Sequence, residues 1–181
     1  MNAFEQIVAG LFRTEGYWTI TGYRVNLTKQ EKKEAGKPSL PRPKLDILAY
    51  KGITNELVWI ECKSYLDSTG VRYSSFINEN DPGFQRYKVY NDTLYRKVIS
   101  KALIEQTVLV GLTRSHPILS YCLVAGKVYS EKDRENLREH FSNNGWLFYD
   151  NLWLKEKLKN AADSQYEDDT AMIVAKIIQR I

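Results

Sequence analysis

The stretch Lys44–Lys63, KLDILAYKGITNELVWIECK, decides the fold. It reads as two strands, Lys44–Tyr50 and Leu57–Lys63, joined by a short turn at Gly52–Asn55. Both runs are rich in β-branched and aromatic residues, and so short a connection makes the strands antiparallel neighbours. Side chains alternate along a strand, so Leu57, Trp59, Glu61 and Lys63 share one face while Val58, Ile60 and Cys62 share the other. Glu61 and Lys63, with Cα atoms roughly 6.6 Å apart, thus put opposite charges on one face, near enough to serve one ion and one water. Asp46 stands in an otherwise apolar run of Leu45, Ile47, Leu48 and Ala49. An acid there costs stability unless it is paired or coordinates metal.

Upstream, Asn2 and Glu5 form a capping-box pattern, and Phe4, Val8, Leu11, Phe12 and Glu15 repeat at helical spacing until Gly16. Trp18–Asn26 suits a strand, and Lys29–Pro43, punctuated by Gly36, Pro38 and Pro41, reads as an exposed loop. Downstream, Ser64–Asp92 has no clean periodicity and reads as a long excursion. From Thr93 the pattern is helical, with Leu94, Val98, Ala102 and Leu103 on one side and Lys97, Lys101 and Glu105 on another. Short strands are expected at Val108–Leu112 and Ile118–Val124, a polar helix at Glu131–Ser142 and a further strand at Trp146–Tyr149. Helices are expected at Leu152–Lys159 and, very apolar, at Ala171–Ile181. A meander followed by a helical crossover predicts an α/β fold with a mixed central sheet flanked by helices. Residues 1–150 are expected to form one domain, and 151–181 a C-terminal helical extension. Its tail helix is apolar on more than one face and needs cover, either from the core or in a homodimer interface.

A chain of 181 residues, 43% hydrophobic, can bury a core. No apolar run approaches the roughly 20 residues a membrane helix needs, and the N-terminus lacks a signal-peptide layout, so a cytoplasmic protein without a membrane partner is expected. Cys62 and Cys122 lie in apolar segments and are expected to be reduced and buried, while His116 and His140 lack ligand-spaced companions for zinc. The net charge of +4 says less than its distribution. Lys29, Lys32, Lys33, Lys37, Arg42 and Lys44 crowd one stretch, and Arg86, Lys88, Arg96, Lys97 and Lys101 another, while acids gather near Glu167, Asp168 and Asp169. The second basic group is the candidate nucleic-acid surface. Phe76, Phe84, Tyr87, Tyr90 and Tyr95 interleave there with Arg72, Arg86, Lys88 and Arg96, a mixture suited to gripping phosphates and stacking on bases, or to packing the excursion on the sheet.

Phosphodiester hydrolysis requires charge neutralised on the phosphate, an activated water and a stabilised leaving oxygen. Asp46 and Glu61 are oxygen ligands of the type Mg²⁺ prefers, and the Cys62 main-chain carbonyl offers a third. Lys63 beside such an ion would orient or help deprotonate the attacking water and offset phosphate charge. An isolated Glu-x-Lys usually marks a solvated strand face. Here Asp46, the aligning turn, the leading helix with Glu5, and the following helix and strand accompany it.

That ensemble resembles the PD-(D/E)xK nuclease superfamily, whose restriction-endonuclease-like core runs helix, three strands, helix, strand (αβββαβ). The resemblance covers roughly Asn2–Val124. In that family the first acid opens the second core strand and Glu-x-Lys ends the third; Asp46 and Glu61-Cys62-Lys63 fill those positions. Leu45, rather than proline, precedes the acid, with Pro43 two positions earlier. Glu5 matches an acid many members carry on the first helix, with its capping-box role the alternative, and Gln106 and Lys101 fall where members often place a further polar residue. Ser130–Asp150 also resembles the helix and strand that follow the core in Mrr-type members. The resemblance implies a Mg²⁺-dependent endonuclease, with Mn²⁺ able to substitute, acting on double-stranded DNA through Asp46, Glu61, Lys63 and Glu5. The alternatives are a catalytically silent DNA-binding or assembly subunit of the same fold, and a structural module with ordinary surface charges.

Overall fold

The computed structural model describes residues 2–163 and 170–180. Glu167, Asp168, Asp169 and Ile181, and the side chains of Ala171 and Ile178, lie outside the described residues. Helix α1 (Ala3–Thr14) starts in the expected capping box: the Asn2 side chain accepts from the Glu5 N–H at 2.8 Å, and the Glu5 carboxylate accepts from the Asn2 N–H at 3.4 Å. Strand β1 (Trp18–Thr21) is shorter than the Trp18–Asn26 run, because Gly22 turns the chain at φ +68° and only Arg24 pairs again, in an isolated bridge to Lys44. The expected loop at Lys29–Pro43 contains helix α2 (Lys29–Glu34). A second capping box, Thr28 with Glu31, starts it, and the prolines take effect only beyond its end.

Strands β2 (Ile47–Lys51) and β3 (Glu56–Lys63) form the antiparallel pair read from sequence, although β2 starts at Ile47 rather than Lys44. The excursion holds short helices α3 (Ser74–Ile77) and α4 (Lys88–Asn91) on either side of a 3-10 turn at Phe84–Tyr87. The strand expected at Val108–Leu112 is instead the end of α5 (Thr93–Leu109) and the turn after it. The Val110 N–H still bonds the Gln106 carbonyl, Gly111 ends the helix at φ +72°, and Leu109 is 85% exposed. The helix keeps its ladder through a run whose β-branched composition alone favours a strand. Then follow β4 (Ile118–Ala125), α6 (Glu131–Asn143), β5 (Leu147–Tyr149), α7 (Asn151–Asp163) and α8 (Thr170–Arg180).

The five strands lie in the order β1-β2-β3-β4-β5, with β1, β2 and β3 antiparallel and β3, β4 and β5 parallel. α5 makes the crossover that a parallel pair requires. The pleat sorts the side chains as expected. Leu57, Trp59 and Leu123 face α5, α6 and the excursion, while Val58, Ile60, Cys62, Cys122 and Val124 face α1, α7 and α8. The protein is therefore an α/β structure with a mixed open sheet covered by helices on both faces. In the extension, Met172 is buried with Leu154 and Ala161 of α7 and Val8 and Leu11 of α1, and Ala175 is buried too, whereas Val174 and Ile177 are exposed. Among the described residues, no helix is long and apolar enough to cross a membrane.

Candidate active site

The β2–β3 ladder stops at the pair Ile47–Ile60, while β3 stays paired with β4 through Lys63. The reason lies just before Ile47. The Leu45 N–H donates to the Tyr23 carbonyl at 2.8 Å, turning Leu45 to the β1 side where the ladder would turn it to Cys62, and the Asp46 side chain crosses to β3 instead. There Asp46 Oδ2 accepts the Cys62 N–H at 2.9 Å. A strand residue turns its N–H and C=O to the same edge, so the Cys62 carbonyl opens into the same gap. Sixteen positions apart in sequence, Asp46 and Cys62 are adjacent in space.

Glu61 and Lys63 flank Cys62 on the face toward α5. The Trp59 indole N–H donates to Glu61 Oε1 at 2.9 Å, and the Lys63 ammonium lies 3.6 Å from Glu61 Oε2 and 5.9 Å from the Tyr87 ring centre. Burial raises the Glu61 pKa above the ordinary carboxylate range; Lys63 opposes this, Asp46 adds to it, and the Trp59 bond lowers it again. Burial also pushes the Cys62 thiol well up, with Asp46, Glu61 and Glu5 among the charges that contribute.

Among the described residues, no group of three or more His, Cys, Asp and Glu side chains is placed to hold a metal ion. An ion at the gap would therefore rest on two carboxylates, the Cys62 carbonyl and water. That hard-oxygen donor set fits Mg²⁺, which commonly uses one or two protein carboxylates and retains several waters.

No protein-family model, curated protein or solved structure matches the chain. The site accordingly stands on its own geometry.

The remaining sequence candidates divide by what holds them. Glu5 is 5% exposed, and its carboxylate accepts from the Asn2 backbone and from the Asn2 amide at 2.8 Å, so the structure places it in the capping box, with its charge felt at Cys62. The Gln106 amide brackets Asn26, accepting its N–H at 2.9 Å and donating to its carbonyl at 2.6 Å. Exposed Lys101 lies 4.0 Å from Glu105. The Arg96 guanidinium donates to the Val89 and Tyr90 carbonyls at 2.9 Å and stacks 5.0 Å from the Trp146 ring centre, fastening α4 to α5. Arg86 and Lys97 are exposed, while half-buried Lys88 has its pKa lowered by burial and by the neighbouring charge of Lys37. Asp150, closing the Mrr-like segment, pairs with Arg134 at 3.0 Å and Arg138 at 2.8 Å and caps the start of α7. Trp59, the donor that fixes Glu61, was not singled out from sequence; its place on Glu61's face two residues earlier was the available signal.

Proposed function

We propose that the protein is a metal-dependent DNA endonuclease with a PD-(D/E)xK-like core. The order α1, β1, β2, β3, α5, β4 supports that core, with α2 and the α3–α4 excursion as insertions. The single observation that carries the activity is the Asp46 carboxylate held on the Cys62 N–H between Glu61 and Lys63. An acid locked there meets the need for a second carboxylate beside Glu-x-Lys, which the dipeptide spacing alone does not supply.

Asp46, Glu61 and the Cys62 carbonyl would hold Mg²⁺. When bound, the ion neutralises phosphate charge and lowers the pKa of water. Trp59 orients one Glu61 oxygen, and the Cys62 N–H fixes one Asp46 oxygen. Lys63, beside Glu61, orients the attacking water and offsets charge on the phosphate. Both Asp46 and Glu61 would serve as carboxylates, and Lys63 and the Trp59 bond oppose the burial that raises the Glu61 pKa.

One observation favours a second reading. The Glu61 oxygens are already engaged by Trp59 and Lys63, as in a DNA-binding or assembly subunit that does not cut. Plasmid and linear DNA incubated with the protein in Mg²⁺ or Mn²⁺ separate the two. Cutting that needs metal and disappears in Asp46→Ala supports the nuclease. Absence of cutting, or full cutting by Asp46→Ala, overturns it, and metal-independent DNA binding without turnover favours the silent subunit.

A further inference from the structure

Just past Lys63, Tyr65 has a φ of +45°, in the left-handed region that a non-glycine residue occupies only under constraint. Tyr65 borders a polar cleft of about 240 Å³, lined also by Arg72, Ser75, Asp81, Arg86 and Tyr87. Tyr87 joins cleft and candidate active site, since its ring is the one near the Lys63 ammonium.

The cleft is held firmly. A Cβ on Gly70 would meet the Val128 carbonyl carbon at 2.8 Å and the Tyr129 nitrogen at 2.9 Å, and Gly70 has φ +92°, so only glycine serves there. Asp81 accepts from the Ser74 and Ser75 hydroxyls at 2.6 and 2.9 Å and from the Gly83 N–H at 2.7 Å. Its two oxygens are thus engaged within the wall, and its charge is felt at Arg72 and Arg86. Phe76, Tyr87 and Tyr90 are buried in the aromatic cluster with Phe141, so packing accounts for most of the excursion's rings. Packing does not account for the guanidinium groups at the rim. Arg72 lies 4.0 Å from the Tyr129 ring centre and Arg86 lines the cleft with Tyr65, yet both side chains remain exposed.

Two guanidinium forks suit a phosphate, and aromatic rings suit a base. The cleft is several times larger than a phosphate group, and a base within a continuous duplex stays stacked and cannot enter it. We propose that this cleft receives a single unpaired nucleotide of the DNA strand running past Lys63, its phosphate on Arg72 and Arg86 and its base against Tyr65. The substrate class is then DNA with an unpaired position beside the bond to be cut. The cutting rests on the nuclease reading; the binding preference does not.

The test uses the full chain carrying Asp46→Ala, without metal, and fluorescence anisotropy on a paired duplex and on the same duplex with one unpaired nucleotide. The expected result is about tenfold tighter binding of the second. Arg72→Ala and Arg86→Ala should each bring that ratio close to one with the circular dichroism unchanged. A ratio near one in the parent, or one that survives both replacements, overturns the proposal. The unaltered chain is then given both substrates with Mn²⁺. A binding preference without cutting defeats the nuclease reading and leaves the cleft assignment standing; cutting without any preference does the reverse.

Discussion

The two halves of β3 make the instructive comparison. From Glu56 to Ile60 the strand is paired on both sides, with β2 and with β4, and Leu57, Val58 and Ile60 are fully buried. From Glu61 to Lys63 it keeps β4 but loses β2, and Glu61 and Lys63 are half-buried. The first half spends its backbone groups on ladders and its side chains on the core. The second half has an open edge into which one acid reaches, and its neighbouring side chains are charged. A strand that is half core and half site needs a neighbour that stops short, and β2 stops because Leu45 turns its N–H to the Tyr23 carbonyl on the β1 side.

The sharpest way to break the comparison is Asp46→Asn. Asparagine can still accept the Cys62 N–H, so stability should change by less than about 1 kcal/mol, while cleavage of plasmid DNA falls about a hundred- to a thousandfold, a loss of the size seen when charge-stabilising groups are removed. If melting temperature falls with activity, the open half is structural. Next in size is Ile60→Ala in the doubly paired half, expected to cost about 2–5 kcal/mol in urea unfolding. Below its unfolding range this variant should still cut. Trp59→Phe crosses the boundary: losing the indole N–H to Glu61 should cost about 1.5 kcal/mol, read as a lower urea midpoint at an unchanged slope.

The smallest effect concerns the wall facing the open half. The Asp81 pKa lies below its ordinary value of 3.8, chiefly through the Ser74 hydroxyl; burial opposes this next in size, and Gly83, Ser75 and Arg72 lower it further. A carboxyl lowered in the fold stabilises it above the unfolded value and loses that contribution as pH falls through the folded one. The Gly83 amide resonance should therefore shift with an apparent pKa below 3.8. A midpoint at or above that value would mean the Ser74–Asp81–Gly83 bonds do not form in solution.

Two of the differences from the sequence reading have traceable causes. The Val108–Leu112 run has strand composition, but the preceding helix retains its ladder to Gly111, and composition does not register a helix already under way. α2 was hidden because prolines spread over Pro38–Pro43 outweighed a capping box at Thr28–Glu31 that lies before them. Glu5 carried two readings, and its bonds to Asn2 are those of the cap.

The sequence by itself determined what depends on near neighbours along the chain: the alternation that puts Glu61 and Lys63 on one face, the turn that makes β2 and β3 antiparallel, and the cap of α1. Asp46 was legible as an anomaly, an acid in an apolar run. Tertiary structure alone decided where that anomaly points. Its carboxylate reaches Cys62 because Leu45 bonds Tyr23 and leaves the Cys62 N–H to the acid, an arrangement among residues 23, 45, 46 and 62. Such an arrangement has no period to read, since a hydrogen bond between distant segments depends on where the whole sheet brings them together.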